Sequence, residues 1–304
     1  MFEFRREQVI FNIGGVELGG QPGELPTVLI GSIFHNRDRI VVDPVKGMFD
    51  KKEAESRINK QEEMSDKTGN PYFIDIVGQT EEALIKHIDF VAELTENPFL
   101  IDGPSPAVRI PAVKHCVEVG LGERAIYNSI DENVTEEEIE ALREQGLTAA
   151  VVLAFNSLDP RPEGRVKLLK GSRGKIGLLE AVSRAGVKKV LVDVAVLDPP
   201  SIGVSARTIH MVKSRFGLPT GCAPSNAVTT WKAVEMLGGY ARSTCIASSH
   251  AILPAFGANF LLYGPIRYAE MVFPACAMVD AFIGYDSRWR GIRPRKKHPL
   301  YKIF

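Results

Sequence analysis

Acidic and amide side chains lie at or near the ends of several apolar, strand-like segments of this 304-residue chain. The clearest example is Asp193, which stands inside the apolar run VLVDVAVL. Burying an unpaired carboxylate costs on the order of several kcal/mol, so such a group indicates that a polar partner or ligand meets it. The other polar residues in comparable positions are Asp75, Asp102, Asn128, Asn156 and Asn226, and Ser32 faces the same region.

Some of these side chains have a simpler interpretation as turn or cap residues. Asp102 precedes Gly-Pro-Ser-Pro, and Asn226 precedes a predicted helix, so both fit ordinary turn and N-cap chemistry. Asn128 is followed by serine, which is also common in loops. Capping explains Asp75 and Asp193 less well, because further apolar residues follow each of them. These two positions therefore carry the stronger prediction of a functional site.

The residue types in this set indicate the kind of ligand. The set holds carboxylates and amides but no lysine, arginine or histidine, which makes it a poor site for phosphate and a poor site for a Schiff base. Carboxylates accept hydrogen bonds, and amides both donate and accept them. The set therefore favours a neutral heterocycle that offers several N–H donors and ring acceptors, such as an amino-pyrimidinone.

The elements that position these side chains alternate along the chain. Eight strands are predicted, most of them followed by an amphipathic helix: 27–34, 72–77, 98–102, 124–130, 148–156, 187–197, 218–223 and 259–263. Residues 157–174 are predicted to form a polar loop, and helices are predicted at 51–66, 80–95, 107–119, 135–145, 175–185, 205–216, 226–237, 244–258 and 266–283. Near-continuous apolar strands between amphipathic helices are typical of a parallel sheet that helices cover.

Eight such units in one chain of this length predict an α/β fold, a closed (β/α)8 TIM barrel. The first strand is not followed by the GxGxxG turn of an open dinucleotide-binding sheet. We expect a single domain over residues 1–304, with an N-terminal β-hairpin within residues 1–26. In such a barrel, residues at the carboxyl ends of the strands face the active site.

Composition narrows the classes of function. The chain has 37 basic and 37 acidic residues, so overall charge gives no case for nucleic acid or an anionic membrane. No signal peptide and no apolar run of about 18 residues is visible, and we expect a cytoplasmic protein. The four cysteines are widely spaced, and no HxH or HxxxH pair occurs, so neither a disulfide framework nor an intrinsic metal is predicted. A metal site assembled in three dimensions stays open.

Residues 285–304 form the one strongly basic segment, with the run RWRGIRPRKKHPLYK. Such a run is usually a solvated terminus. The alternative interpretation is a docking arm for an acidic partner.

Four motifs, in order along the chain, resemble the pterin-binding barrel family. They are IDGPSP after the third barrel strand, YNS after the fourth, VDVAVLDPP at the sixth, and PSN after the seventh. The opening FNIGGVELGGQPGELPTVLIGSIF and the segment NKQEEMSDKTGNP are similar to one subgroup in particular. That subgroup is the MtrH family of the tetrahydromethanopterin S-methyltransferase complex, whose bacterial relatives transfer methyl between a corrinoid protein and tetrahydrofolate.

The resemblance implies roles for individual residues. Asp102, Asn128 and Asp193 would hold the pterin ring, and Asn226 would lie near its N5, on the opposite side of the barrel from Asp193. The implied pterin-binding set also includes Asp75, Asn156 and Ser225, and the implied catalytic pair is Asn226 with Asp193. Two departures from the family pattern stand out: the segment DIVG lacks the asparagine of the family's DxNxG-like motif, and Gly103 replaces a serine.

The resemblance also implies the reaction and the partners. Methyl would move between N5 of a tetrahydropterin and the cobalt of a corrinoid carried by a separate protein, with no intrinsic metal. The barrel mouth would then be flat and partly apolar, and the protein would be a homodimer. Two alternatives stay open: a pteroate-synthase-like enzyme, whose basic strand-end residue is not evident, and a pterin-binding component of a membrane-associated complex without turnover. The motifs do not distinguish tetrahydrofolate from tetrahydromethanopterin, nor the direction of transfer.

Overall fold

A computed structural model describes residues 2–172 and 175–303. The chain begins with the predicted hairpin, formed by β1 (Ile10–Ile13) and β2 (Val16–Gly19) in antiparallel register. Its turn is Gly14-Gly15, where both residues adopt positive φ, a conformation that glycine reaches without steric cost. The sequence signal for this hairpin is thus confirmed.

Eight parallel strands close into the predicted barrel, in which β10 pairs with β9 and completes the ring. The barrel strands are β3 (Val28–Ile33), β6 (Tyr72–Val77), β7 (Phe99–Asp102), β8 (Ala125–Ile130), β9 (Ala149–Leu153), β10 (Lys189–Asp193), β11 (Thr220–Cys222) and β12 (Phe260–Pro265). They follow one another around the ring in chain order. A short hairpin that the sequence analysis did not predict, β4 (Val41–Asp43) with β5 (Met48–Phe49), lies in the connection after β3.

Helices cover the outside of the ring. They are α1 (Lys51–Thr68), α2 (Glu81–Leu94), α3 (Pro106–Glu118), α4 (Glu136–Gln145), α5 (Pro162–Lys170), α6 (Leu178–Arg184), α7 (Ser201–Phe216), α8 (Ser225–Thr230), α9 (Ala241–Ala255) and α10 (Ala269–Ser287). Thr80 and Thr135 are the N-caps of α2 and α4, since each side chain accepts from the backbone N–H three residues further along the chain.

The prediction of a polar loop over 157–174 was wrong for 162–170, which form α5, and its residues 173 and 174 lie outside the described part of the chain. Pro162 stands at the first helical position, and Val166 and Leu169 are buried beneath the charged residues that made the segment look like a loop. The predicted helix over 226–237 is also divided, into α8 and a 3-10 turn at Lys232–Leu237.

The core has an inner and an outer layer. The inner layer fills the barrel with every second strand residue, and Ile13 and Leu18 of the hairpin join it, so the hairpin closes one end of the ring. The outer layer packs the other faces of the strands against the helices. The strands are therefore apolar on both faces, as the near-continuous apolar runs predicted.

The basic C-terminal segment is not simply solvated. His298, Pro299 and Leu300 are buried, and Lys302 Nζ donates to the carbonyl of Asp66 at 3.1 Å. The prediction of a solvated terminus is therefore wrong for 298–300, which pack back onto the helical wall, while Trp289 stays largely exposed.

Candidate functional site

A polar layer lies directly above the apolar inner core at the carboxyl ends of the strands. Phe73, Leu100, Ile126 and Leu191 all face the barrel interior. Two residues further along each strand come Asp75, Asp102, Asn128 and Asp193. Because side chains alternate between the two faces of a strand, these four polar residues share the inward face with the core below them. The structure thus brings this part of the predicted set together.

Asp75 is the most fully bonded member of the layer. It is only 3% exposed, its Oδ2 accepts from Ser32 Oγ at 2.6 Å, and its Oδ1 accepts from Asn128 Nδ2 at 3.2 Å. Burial raises the pKa of the Asp75 carboxyl to about 6, against the opposing effect of these two donors. Its hydrogen bonds therefore join three strands, β3, β6 and β8, at the carboxyl end of the barrel. We call the space that this polar layer lines the cup.

Asp102 ends β7 beside Asn128 in the neighbouring strand. Burial, and next the negative charge of Asp75, raise the pKa of its carboxyl well above the usual value, while Arg109 and the Gly103 N–H oppose the shift. Arg109 does not bond to the Asp102 carboxyl. It donates to the carbonyl of Gly103 at 2.7 Å and to that of Ser129 at 3.3 Å, and thus braces the loops after β7 and β8.

Asp193 ends β10 and is 6% exposed. Its Oδ1 accepts from the N–H of Ala195 at 2.7 Å, while no described residue donates to Oδ2. Burial raises the pKa of this carboxyl to about 6, while the Ala195 N–H and the nearby Arg165 guanidinium oppose the shift. One carboxylate oxygen is therefore available to a ligand.

Asn226 lies beside Asp193 and not opposite it, because β10 and β11 are neighbours in the ring. Its side chain is exposed, and Nδ2 donates to the carbonyl of Val196 at 3.4 Å, in the loop that follows Asp193. The expectation that the two residues face each other across the barrel was wrong. Ser225, by contrast, is buried, and its hydroxyl packs so close to Gly264 that a Cβ there would lie 2.6 Å from Oγ.

Asn156 has a structural role within its own loop. The strand ends at Leu153, and Asn156 Oδ1 accepts from the N–H groups of Leu158 and Asp159 at 3.1 Å, while Nδ2 donates to Gly164 at 3.1 Å. Its polar atoms are thus already bonded by protein. The structure gives no support to the expected pterin contact of this residue.

Basic residues near the site escaped the sequence analysis. Arg109 and Arg165 lie on helices and reach back to the strand ends, a geometry without a motif of its own. Arg267 lies two residues after the end of β12. Burial lowers the pKa of His35, which follows β3, and the positive charge of Arg267 is a smaller cause in the same direction. The mouth therefore does carry basic groups, and the position of Arg267 after a strand-end Gly-Pro could have signalled one of them.

Two further properties of the described residues bear on the site. Across 2–172 and 175–303, no three His, Cys, Asp or Glu side chains are grouped in a way that could hold a metal ion. No helix in that part of the chain is long and apolar enough to cross a membrane.

Solved structures with a similar fold are barrels of the same kind. Dihydropteroate synthase from Xanthomonas albilineans superimposes with a TM-score of 0.61 and 16% identity over 91% of this chain and 98% of that one. The enzyme from Thermus thermophilus gives 0.55 and 16% over 90% and 99%. A 3-dehydroquinate dehydratase from Geobacillus kaustophilus gives 0.53 and 14% over 88% and 96%, so this likeness establishes the fold class alone.

Sequence comparison defines the family. Residues 6–295 match the family described as tetrahydromethanopterin S-methyltransferase MtrH subunit. The corresponding polypeptide of that enzyme from Methanothermobacter thermautotrophicus is 43% identical over 312 residues, and the one from Methanocaldococcus jannaschii is 40% identical over 318, each with 100% of both chains covered. The chain belongs to the MtrH family.

Proposed function

We propose that this protein transfers a methyl group between N5 of a tetrahydropterin and the cobalt of a corrinoid held by a partner protein. The observation that carries the proposal is the inward-facing layer of Asp75, Asp102, Asn128 and Asp193, in a chain of the MtrH family. The names of the relatives favour tetrahydromethanopterin as the pterin.

The polar layer suits the edge of a pterin ring. The amino-pyrimidinone edge offers N–H donors, and the Oδ2 of Asp193 accepts nothing from the described residues. No described side chain donates to Asp102 either, because Arg109 bonds to backbone carbonyls and to Glu138. We therefore assign the ring contacts to Asp102, Asn128 and Asp193, with Asp75 holding Asn128 in place and Ser225 supporting the wall.

We assign the hydrogen bond to N5 of the pterin to Asn226. A tertiary amine is a poor leaving group, so N5 needs a proton or a strong hydrogen bond as the methyl group departs. The amide of Asn226 is exposed at the mouth, and its one protein bond, to Val196, is long at 3.4 Å. It can therefore turn towards a ligand at little cost. A reduced corrinoid on the partner protein would supply the nucleophile that takes the methyl group.

The rim of the barrel mouth supports a protein partner. Exposed apolar side chains project from the connections after β9, β10 and β11, on the face that bears the polar layer. They are Leu158, Leu197, Trp231, Met236, Leu237 and Tyr240, of which Leu158, Met236 and Tyr240 are 91%, 88% and 87% exposed. Exposed apolar groups in such a cluster typically mark an interaction surface. We assign this apolar rim to the corrinoid-carrying protein.

A homodimer is also part of the proposal. Met278, Phe282, Tyr285 and Trp289 are exposed at helical spacing along α10 and the turn that follows it. In an antiparallel pairing of two such helices, Glu270 near one end would approach Arg288 of the second copy near the other. We further propose a cytoplasmic location, with peripheral association wherever the partner belongs to a membrane complex.

A spectroscopic assay tests the proposed reaction. Purified protein is mixed with Co(I) cobalamin and either N5-methyl-tetrahydromethanopterin or N5-methyl-tetrahydrofolate, and the formation of methylcobalamin is followed by absorbance. We expect transfer with at least one pterin. Pterin binding without transfer would instead favour a binding component without turnover, and the absence of both would reject the proposal.

A further inference from the structure

Arg165 is buried beneath the loop that follows Asp193. The side chain is 1% exposed and lies on α5, within the connection from β9 to β10. Its Nε donates to the carbonyl of Pro160 at 2.8 Å, and its Nη1 donates to the carbonyls of Val194 and Ala195, the latter at 3.0 Å. The Oγ of Ser205 accepts from the same Nη1 at 3.3 Å. One guanidinium therefore joins the loop after β9 to the loop after β10.

No carboxylate among the described residues forms an ion pair with Arg165. Arg109, the other buried arginine near the site, has the Glu138 carboxylate at 3.3 Å. Arg165 has backbone carbonyls and one hydroxyl, and the acid whose charge acts on it most is Asp193. A buried cation without a bonded counterion is costly, so its presence here is not explained by packing alone.

The loop after β10 adopts a strained backbone conformation, in which it bonds to both Asp193 and Arg165. Ala195 has φ +56, which is uncommon for a residue with a Cβ. In this form its N–H donates to Asp193 Oδ1 at 2.7 Å while its carbonyl accepts from Arg165. The next carbonyl, that of Val196, accepts from Asn226. The segment held by Arg165 therefore contacts both residues of the proposed catalytic pair.

We propose that Arg165 is a positioning residue for this site, which aims the Asp193 carboxylate into the cup and favours its ionised form by an uncancelled positive charge. The proposal rests on the proposed function for the identity of the ligand. Arg165 itself does not contact the ligand in this account. It acts through the 194–196 backbone and through its electrostatic field.

Two charged groups and one neutral thiol, on three different elements, act on or lie near Asp193. Arg165 on α5 favours the ionised carboxyl, Asp75 on β6 disfavours it, and Cys222 on β11 is a neutral thiol because burial raises its pKa well above the usual value. Removal of the Arg165 charge should therefore raise the pKa of the Asp193 carboxyl above about 6. Pterin binding needs the ionised carboxylate. As the pH is lowered, the affinity should therefore begin to fall at a higher pH than in the wild type.

The test compares Arg165→Met with Arg165→Lys by calorimetric titration of N5-methyl-tetrahydromethanopterin between about pH 5 and 8. For Arg165→Met we expect the midpoint of the pH profile to rise by about one unit, so that affinity falls by about twofold near pH 7 and by about tenfold near pH 5. Arg165→Lys keeps the charge but cannot reach all the acceptors, so its midpoint should stay near that of the wild type while affinity falls. Arg207→Met, which removes an exposed arginine paired with Glu163, is the matched control and should change neither.

Folded Arg165→Met with the wild-type midpoint and affinity would overturn the proposal. If Arg165→Met does not fold, an Arg165→Lys variant that binds the pterin with wild-type affinity would also overturn the proposal. If the wild type binds no pterin, the proposed function is rejected, but the role of Arg165 can still be tested. The test is then an NMR titration of the Asp193 side-chain carboxyl carbon in ligand-free protein. An unchanged pKa of the Asp193 carboxyl in Arg165→Met would reject the inference, whereas a higher pKa would support it.

Discussion

Asn128 Nδ2 donates to Asp75 Oδ1 at 3.2 Å, although the whole of β7 separates their two strands. The bond is possible because both side chains point into the barrel, where the walls of the ring converge. Ser32 holds the other oxygen of the same carboxylate. Each oxygen of Asp75 therefore has a protein donor, whereas Asp193 keeps one oxygen without a described donor. We therefore propose different tasks for the two carboxylates: Asp75 organises the polar layer, and Asp193 meets the ligand.

This difference can be tested with Asp193→Ala and Asn156→Ala. Asp193→Ala removes a proposed ring contact, and we expect tetrahydropterin affinity to fall by at least about tenfold while the fold is retained. Asn156 bonds to its own loop, so Asn156→Ala should leave affinity unchanged and lower the free energy of unfolding by about 1 kcal/mol. Calorimetry and urea unfolding measure the two effects. The reverse pattern would show that the sites have been assigned the wrong way round.

The raised pKa of Asp193 predicts a specific dependence of stability on pH. Its folded-state value of about 6 exceeds the unfolded value, so the native protein binds more protons between about pH 4 and 6. Stability contributed in this way is present at low pH and is lost as the pH rises through that window. In Asp193→Asn the loss should be smaller by about 2 to 3 kcal/mol, as measured by urea unfolding at a series of pH values. Parallel curves for the two proteins would contradict this assignment.

Arg109 should be important for stability as well as for the shape of the cup. Its guanidinium pairs with the buried Glu138 carboxylate, which also accepts from the hydroxyl of Tyr127 at 2.5 Å. Arg109→Ala leaves that carboxylate without its cation, and we expect the free energy of unfolding to fall by about 3 to 5 kcal/mol. Arg143→Ala, which breaks an exposed pair with Glu140, is the control and should cost no more than about 1 kcal/mol. Equal small losses would mean that the buried pair is not holding these loops.

The apolar rim predicts a partner-specific defect. Met236→Glu combined with Tyr240→Glu places two charges where we propose that the corrinoid-carrying protein docks. The KM for that protein should rise by at least about tenfold, while transfer to free cobalamin stays at the wild-type rate. Val119→Glu, an exposed apolar site beyond the end of α3 at the opposite face of the barrel, serves as control. Equal loss with free cobalamin would place the defect in the cup and not at an interface.

Much of this architecture was accessible from the sequence because it depends on local patterns. The apolar strands, most of the helices and the N-terminal hairpin were each predicted from a short stretch of chain. The members of the polar layer were found as well, and alternation supplies their reason: each lies two residues after a core residue of the same strand.

The rest depends on contacts between distant segments. Arg165 and Arg109 reach the site from helices, and nothing in the spacing of the sequence states which carbonyl a buried arginine will meet. The loop hydrogen bonds of Asn156 were not predicted, because an asparagine at a strand end and one that bonds within a loop look alike in the sequence. Helix α5 was missed because a few buried residues in a charged segment give a weak periodic signal.

We propose that the polar layer holds a tetrahydropterin while Asn226 assists methyl transfer at N5. This proposal is tested most directly by single-turnover transfer from N5-methyl-tetrahydromethanopterin to Co(I) cobalamin, with wild type and Asn226→Ala compared at saturating pterin. We expect methylcobalamin with the wild type, and in Asn226→Ala a rate lower by about 100-fold with pterin affinity changed by no more than about threefold. Absence of transfer by the wild type, or a wild-type rate in Asn226→Ala, would contradict the account.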